Sequence, residues 1–244
     1  MSTLNILGDS PAPSPEDQEF LTEERAISTP EFLQALMEDK KEEVAKMIVQ
    51  DDRLVGSRDV AGATAVQLAV YHGLDDMLGI LLRAGRDLDL AEAAAAGELE
   101  RVRALMADGA DVDEPGGDGF TALVLAATYG RADVAEALLE AGADPSKPAR
   151  NPTLTTPLHG AAGGKDPEAS DRILAGLIAA GAALDAEQAG GFTALHRAAG
   201  AGHTRLVRRL LEAGADVGVE SDFGVTAADL ATERGHLAVM ALFE

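Results

Sequence analysis

The chain has no cysteine among its 244 residues. That excludes disulfides, thiol nucleophiles and cysteine-bound zinc together, and fits an intracellular protein stabilised by packing alone. Aromatic residues are nearly as scarce: two tyrosines and six phenylalanines make up 3% of the chain. Basic residues are few as well. Twenty lysines and arginines stand against 42 acidic residues, a net charge of −22. A surface of that sign repels nucleic acid and anionic membranes, so neither is an expected partner, and it steers basic proteins inward. No run of about 18 apolar residues occurs, the minimum for a membrane-spanning helix. The start lacks the basic, apolar and small-residue succession of a signal peptide. The expected location is therefore cytoplasmic.

What the chain does contain is a repeated pattern. It reads Gly-Ala-Thr-Ala-Val-Gln-Leu-Ala from Gly62, Gly-Phe-Thr-Ala-Leu-Val-Leu-Ala-Ala from Gly119 and Thr-Pro-Leu-His-Gly-Ala-Ala from Thr156. It returns as Gly-Phe-Thr-Ala-Leu-His-Arg-Ala-Ala from Gly191 and Gly-Val-Thr-Ala-Ala-Asp-Leu-Ala from Gly224. The threonines Thr64, Thr121, Thr156, Thr193 and Thr226 are 57, 35, 37 and 33 residues apart. The 57 hides one further unit between Leu88 and Asp113, which keeps Gly97, Val102, Leu105, Met106 and Gly109-Ala110-Asp111 but has lost its turn. The 35 carries two extra residues between Asp144 and Thr156. The 37 carries four between Ala162 and Leu177, beside the breaker-rich Gly163-Gly164-Lys165-Asp166-Pro167. Within a unit the apolar residues follow helical spacing twice. Leu195, Ala198 and Ala199 mark a first helix, and Leu206, Val207, Leu210 and Leu211 a second. The 46% hydrophobic content is thus an alanine and leucine core.

A unit of about 33 residues with a turn and two helices resembles the ankyrin repeat, over roughly residues 30 to 244. The resemblance implies an all-α solenoid of helix-turn-helix units with short β-hairpin-like turns, in which neighbours stack because no unit can bury its apolar face alone. Residues 1–28, with three prolines, six acidic residues and one basic residue, are expected to form a flexible acidic arm. The repeat domain is expected over 29–244: a helical cap or degenerate repeat over 29–56, opened by Thr29-Pro30-Glu31 with the threonine hydroxyl as N-cap, then about six repeats starting near 59, 88, 116, 151, 188 and 221.

In the family the partner lies on the concave surface made by the turns and the ends of the first helices. Carried over residue by residue, the resemblance places Val60, Ala63, Asp118, Phe120, Thr153, Thr155, Phe192, Asp222, Phe223 and Val225 on the turns, and Tyr71, His72, Thr128, Tyr129, Glu233 and Arg234 at the helix ends. These sixteen are the candidate protein-binding residues. They include five of the eight aromatics, the residue type that dominates binding hot spots. The missing turn before Leu90 and the long one at 145–155 would leave a notch and a projection on the same edge.

No catalytic, cofactor or metal site is expected. His159, His196, His203 and His236 recur at equivalent repeat positions, which points to structural roles, and no His-Glu-x-x-His, phosphate loop or Gly-x-Ser-x-Gly elbow is present. The expectation is a monomeric, non-catalytic module that binds one or more proteins, possible basic ones included. The alternative is an acidic inhibitor or immunity-type protein that masks a basic site on an enzyme or toxin.

Overall fold

The repeated threonines fix where helices begin. In the computed structural model, which describes residues 27–244 apart from residue 86, each of Thr64, Thr121, Thr156, Thr193 and Thr226 is an N-cap whose hydroxyl accepts from the amide three residues on. They open α3 (Ala65–Tyr71), α7 (Ala122–Thr128), α9 (Pro157–Ala162), α11 (Ala194–Gly200) and α13 (Ala227–Glu233). The unit without a turn uses Asp89 instead. With Glu92 it forms a capping box that starts α5 (Leu90–Ala96). These six short helices stack on one another in chain order as an inner layer. Most of their side chains are buried, except in the last, α13, where only Ala227 and Ala231 are, and alanine lets the backbones approach closely.

The outer layer consists of α4 (Asp75–Arg83), α6 (Leu99–Ala107), α8 (Ala132–Glu140), α10 (Pro167–Ala179), α12 (Thr204–Ala213) and α14 (Leu237–Met240). Ahead of it, α1 (Thr29–Met37) packs on α3 and α2 (Lys41–Gln50) on α4. The leading helix pair therefore continues both layers. Its N-cap is Ser28 rather than Thr29: the Ser28 hydroxyl and the Glu31 carboxylate close a capping box, which leaves Thr29 in the first turn. The arm expected over 1–28 lies, but for its last two residues, outside the described residues. One apolar core runs from Phe32 to Val239.

The turn before each threonine repeats one hydrogen-bond pattern. The Asp59 amide donates to Ala63 O, Gly116 to Phe120 O, Gln188 to Phe192 O and Ser221 to Val225 O. In the long turn Ala149 donates to Thr155 O, so two more residues are enclosed and Leu154 takes φ 52°. Neighbouring turns join through Arg150 N to Gly119 O at 2.7 Å, Ala189 N to Thr153 O at 2.9 Å and Asp222 N to Gly190 O at 3.0 Å.

The four extra residues of the 37-residue spacing do not form a loop. Asp166 accepts from the amides of Glu168 and Ala169, Pro167 takes the first helical position, and α10 runs for 13 residues against 9 in α4, α6 and α8. Its buried Ile173, Leu174 and Leu177 stand where α12 has Leu206, Val207 and Leu210, each four residues later from its threonine. The insertion is one added helical turn. Arg209 and Arg205 of α12 both pair with Asp171, the first residue after that added turn, at 2.7 and 2.6 Å.

Candidate protein-binding face

The turn tips and the C-terminal ends of the inner helices form one continuous face, and its two ends differ. At the N-terminal end Tyr71 ends α3 and Tyr129 follows α7. Their rings stack with centroids 5.5 Å apart and planes 8° from parallel. The helix between them, α5, carries only alanine from 93 to 96, short enough for the rings to meet above it. The Tyr71 hydroxyl donates to the Asp118 carboxylate. Burial, reinforced by that carboxylate, raises the Tyr71 pKa far above the phenolic range, and burial pushes Tyr129 up to about 12, so both stay neutral. Asp118 also accepts from the Phe120 amide at 3.2 Å, and its carbonyl accepts from Asn151 at 3.0 Å.

The backbone closes the same gap. Gly62 has φ 89° and lies so near Gly117 that a Cβ there would overlap the Gly117 carbonyl. The first and third turns therefore meet across the unit that lacks one, and Arg58 bonds the Gly62 carbonyl at 2.9 Å and reaches Asp89 at 3.6 Å. The notch expected at the missing turn is bridged at its rim. A cavity of about 360 Å³ remains behind it, lined by Asp89, Leu90, Ala91 and Glu114 to Gly117 among others.

At the C-terminal end the face is open. Phe192 stands edge-on to His196 at 5.7 Å and tilts against Phe223 at 6.0 Å. Phe223 is 73% exposed. Where the N-terminal units carry Tyr71 and Thr128, seven residues after the cap, these units carry Gly163 and Gly200. The guanidinium groups of Arg197 and Arg234 lie over those two glycines. Between them is a cavity of about 360 Å³ lined by Gly163, Gln188, Phe192, His196, Arg197, Gly200, Ala201, Leu230 and Arg234.

The sixteen candidate residues divide accordingly. Ala63, Asp118 and Thr155 are buried, so they are corrected from contact residues to parts of the turns. Tyr71, Phe120, Thr128, Tyr129, Phe192 and Val225 are half-buried. Val60, His72, Thr153, Asp222, Phe223, Glu233 and Arg234 are exposed. Sequence reasoning passed over Arg197 and Gln188. The one available signal is that Arg197 stands four residues after its threonine, where the other units have Leu68, Ala93, Leu125, Gly160 and Leu230.

The histidines bind the repeats to one another. His159 Nδ1 lies 2.8 Å from the Thr156 hydroxyl, and its Nε2–H donates to Phe192 O at 2.8 Å. His196 makes the same contacts with Thr193 and Val225 O, each at 2.9 Å. The carbonyl can only accept, so Nε2 carries the proton. Burial lowers His159 to about 4 and lowers His196 as well, which keeps both neutral. Among the described residues no three His, Asp or Glu side chains converge as metal ligands, and no helix is long and apolar enough to cross a membrane.

Stacked two-helix units tied turn to turn, with a face of turn tips and helix ends, define a helical-repeat interaction protein. Two family models match, one described as ankyrin repeats (3 copies) over residues 89–149 and one as ankyrin repeats (many copies) over residues 177–231. The chain is 39% identical over 126 residues to cyclin-dependent kinase 4 inhibitor B of Bos taurus, covering 52% of this chain and 92% of that protein. It is 38% identical over 130 residues to the protein of the same name from Rattus norvegicus, covering 53% of this chain and 95% of that protein. The chain belongs to the ankyrin repeat family.

Proposed function

We propose that this chain is a non-catalytic, monomeric, cytoplasmic module that holds a partner protein on the concave face of its solenoid. The observation that carries this reading is the exposed Phe223 beside Phe192 at the mouth of the 360 Å³ cleft. An aromatic left in solvent next to a part-apolar cleft is the arrangement of an interface anchor. Both named relatives are inhibitors of a cyclin-dependent kinase, which makes a protein kinase the first partner class to test.

The same names favour a more specific second reading, that the chain inhibits the enzyme it binds. Its charge of −22 suits a target with a basic site. Affinity capture at low and high salt, repeated with Phe223→Asp, tests both readings. One stoichiometric partner lost with Phe223→Asp supports the concave face, and its additional loss at high salt supports masking of a basic site. A partner retained equally by the variant would place the interface elsewhere.

A further inference from the structure

The last two inner helices place two arginines in a cleft without an acid to meet them. Arg197 is half-buried, and its one polar contact among the described residues is the Gln188 amide oxygen at 3.3 Å. Arg234 donates to the Gly200 carbonyl at 2.8 Å and, among the described residues, has no ion pair. Elsewhere in this acid-rich chain two arginines that reach a neighbouring repeat find carboxylates, Arg172 with Glu136 and Asp133 and Arg209 with Asp171, while Arg131, among the described residues, bonds the Ala95 carbonyl alone but lines no such cleft. Glu233, adjacent to Arg234, is exposed and pairs with neither cleft arginine. His196 contributes no charge, because its Nδ1 accepts from the Thr193 amide and so carries no proton. The remaining wall is apolar, from Phe192 and Leu230.

Resting on the concave-face reading above, we infer that this cleft receives an acidic side chain of the partner protein, an aspartate or glutamate flanked by an apolar residue that packs on Phe192 and Phe223. The physical reason is the state of Arg197. Partial burial lowers its pKa because the cation loses solvent without gaining a counter-charge. A carboxylate entering the cleft gains charge-assisted bonds in a site of reduced dielectric. The two glycines create the room. A Cβ at Gly163 would collide with the Arg197 guanidinium, and one at Gly200 would crowd Arg234 at 3.3 Å. The long-range field of the protein is negative while this one cleft is positive, so the partner segment presents its acid locally within a surface that is otherwise not acidic.

The test uses the whole chain and two short probes, acetyl-Phe-Glu-Glu-Leu-amide and its isostere acetyl-Phe-Gln-Gln-Leu-amide, followed by NMR at the arginine Nε–H signals and the Phe223 ring. The acidic probe is expected to move the signals of Arg197, Arg234 and Phe223, and to bind about tenfold more tightly than the isostere. Arg234→Gln, at an exposed position, is expected to bring its affinity down to that of the isostere without changing helicity. Arg197→Gln repeats the measurement from the buried side. Equal binding of the two probes at Phe223 would overturn the acidic preference and leave the concave face standing as a binding surface. No movement on this face with either probe would overturn the inference, and the Phe223→Asp capture then judges the face separately. Shifts of these signals on concentrating the protein alone would assign the cleft to a second copy of the chain, which also overturns it.

Discussion

The two ends of the turn-and-helix-end face solve opposite problems with the same repeat. At the N-terminal end a unit without a turn would leave its neighbours apart, and Tyr71, Tyr129, Asp118 and the close pass of Gly62 over Gly117 bridge it. Polar and aromatic groups there meet one another. At the C-terminal end the turns are complete and adjacent, and glycines at 163 and 200 leave space between helix ends that Arg197 and Arg234 only partly fill. The difference shows that an aromatic residue on an expected binding face marks binding only when its neighbours leave it uncommitted. Tyr129 is stacked and half-buried, whereas Phe223 is 73% exposed.

The largest effect that sharpens this contrast is at two equivalent turn glycines. Both Gly62 and Gly224 have positive φ, 89° and 70°. An alanine at Gly224 meets open space, so only the left-handed backbone opposes it, about 1–2 kcal/mol. At Gly62 the added methyl also overlaps Gly117 and approaches the Asp118 amide at 3.2 Å, and the expected loss exceeds about 3 kcal/mol. Urea unfolding of Gly62→Ala and Gly224→Ala measures both. Equal losses would mean that the first and third turns do not lean on each other.

Next in size is the exchange of stability for binding between aromatics. Tyr129→Ala removes a half-buried ring and its stack and is expected to cost about 2–4 kcal/mol. Phe223→Ala removes an exposed ring and should cost less than about 0.5 kcal/mol while weakening partner binding at least tenfold. Thermal melts combined with a binding assay separate the two. A melting loss from Phe223→Ala as large as that from Tyr129→Ala would erase the distinction between the ends.

A third effect belongs to the C-terminal half alone. In the fold His159 titrates near 4, against 6.5 for the free side chain. Between these values the unfolded chain takes up a proton that the fold excludes. The stabilisation is therefore complete above about pH 6.5 and is lost as pH falls toward 4, on the order of 3 kcal/mol. Asp171, held below the usual range by Arg209 and Arg205, loses its contribution only below about 3.8, so the two windows separate. His159→Gln, a residue the capping box already accepts at Gln67, should reduce the slope from about pH 6.5 to 4 and leave the share of His196 and His203, which burial also lowers. An unchanged slope in His159→Gln would show that another group carries it.

The stacked fold was legible because its determinants are local. A cap threonine, a glycine turn and helical spacing of alanine and leucine each have one physical meaning wherever they recur. The site was less legible for two reasons. The bridge depends on Tyr71 and Tyr129, 58 residues apart, meeting above alanines whose only signal is their small size. The cleft depends on missing side chains at Gly163 and Gly200, and an inventory of candidate side chains does not register an absence. The added turn of α10 was misleading in another way. Asp166-Pro167 was grouped with the preceding glycines as breakers, although the pair is an N-cap followed by a proline at the first helical position.

The smallest effect tests the comparison at a single repeated position, three residues after the cap. His159 and His196 there tie each unit to the carbonyl before the next threonine. Gln67 holds the same place facing the unit that lacks a turn. Its Oε1 accepts from the Thr64 amide at 2.9 Å, but its buried Nε2 has no partner among the described residues. Val124 shows that an apolar residue is compatible with this position under a threonine cap. Gln67→Val therefore gives up one capping bond and relieves one orphan donor, two terms of about 1 kcal/mol with opposite sign, and should leave stability within about 0.5 kcal/mol. His196→Val orphans the Val225 carbonyl and is expected to cost about 2 kcal/mol. If the two valine variants cost the same in urea unfolding, the missing turn has not relieved its neighbour of the inter-repeat tie. The contrast between a bridged end and a directly tied end would then fail at the position where it is simplest to measure.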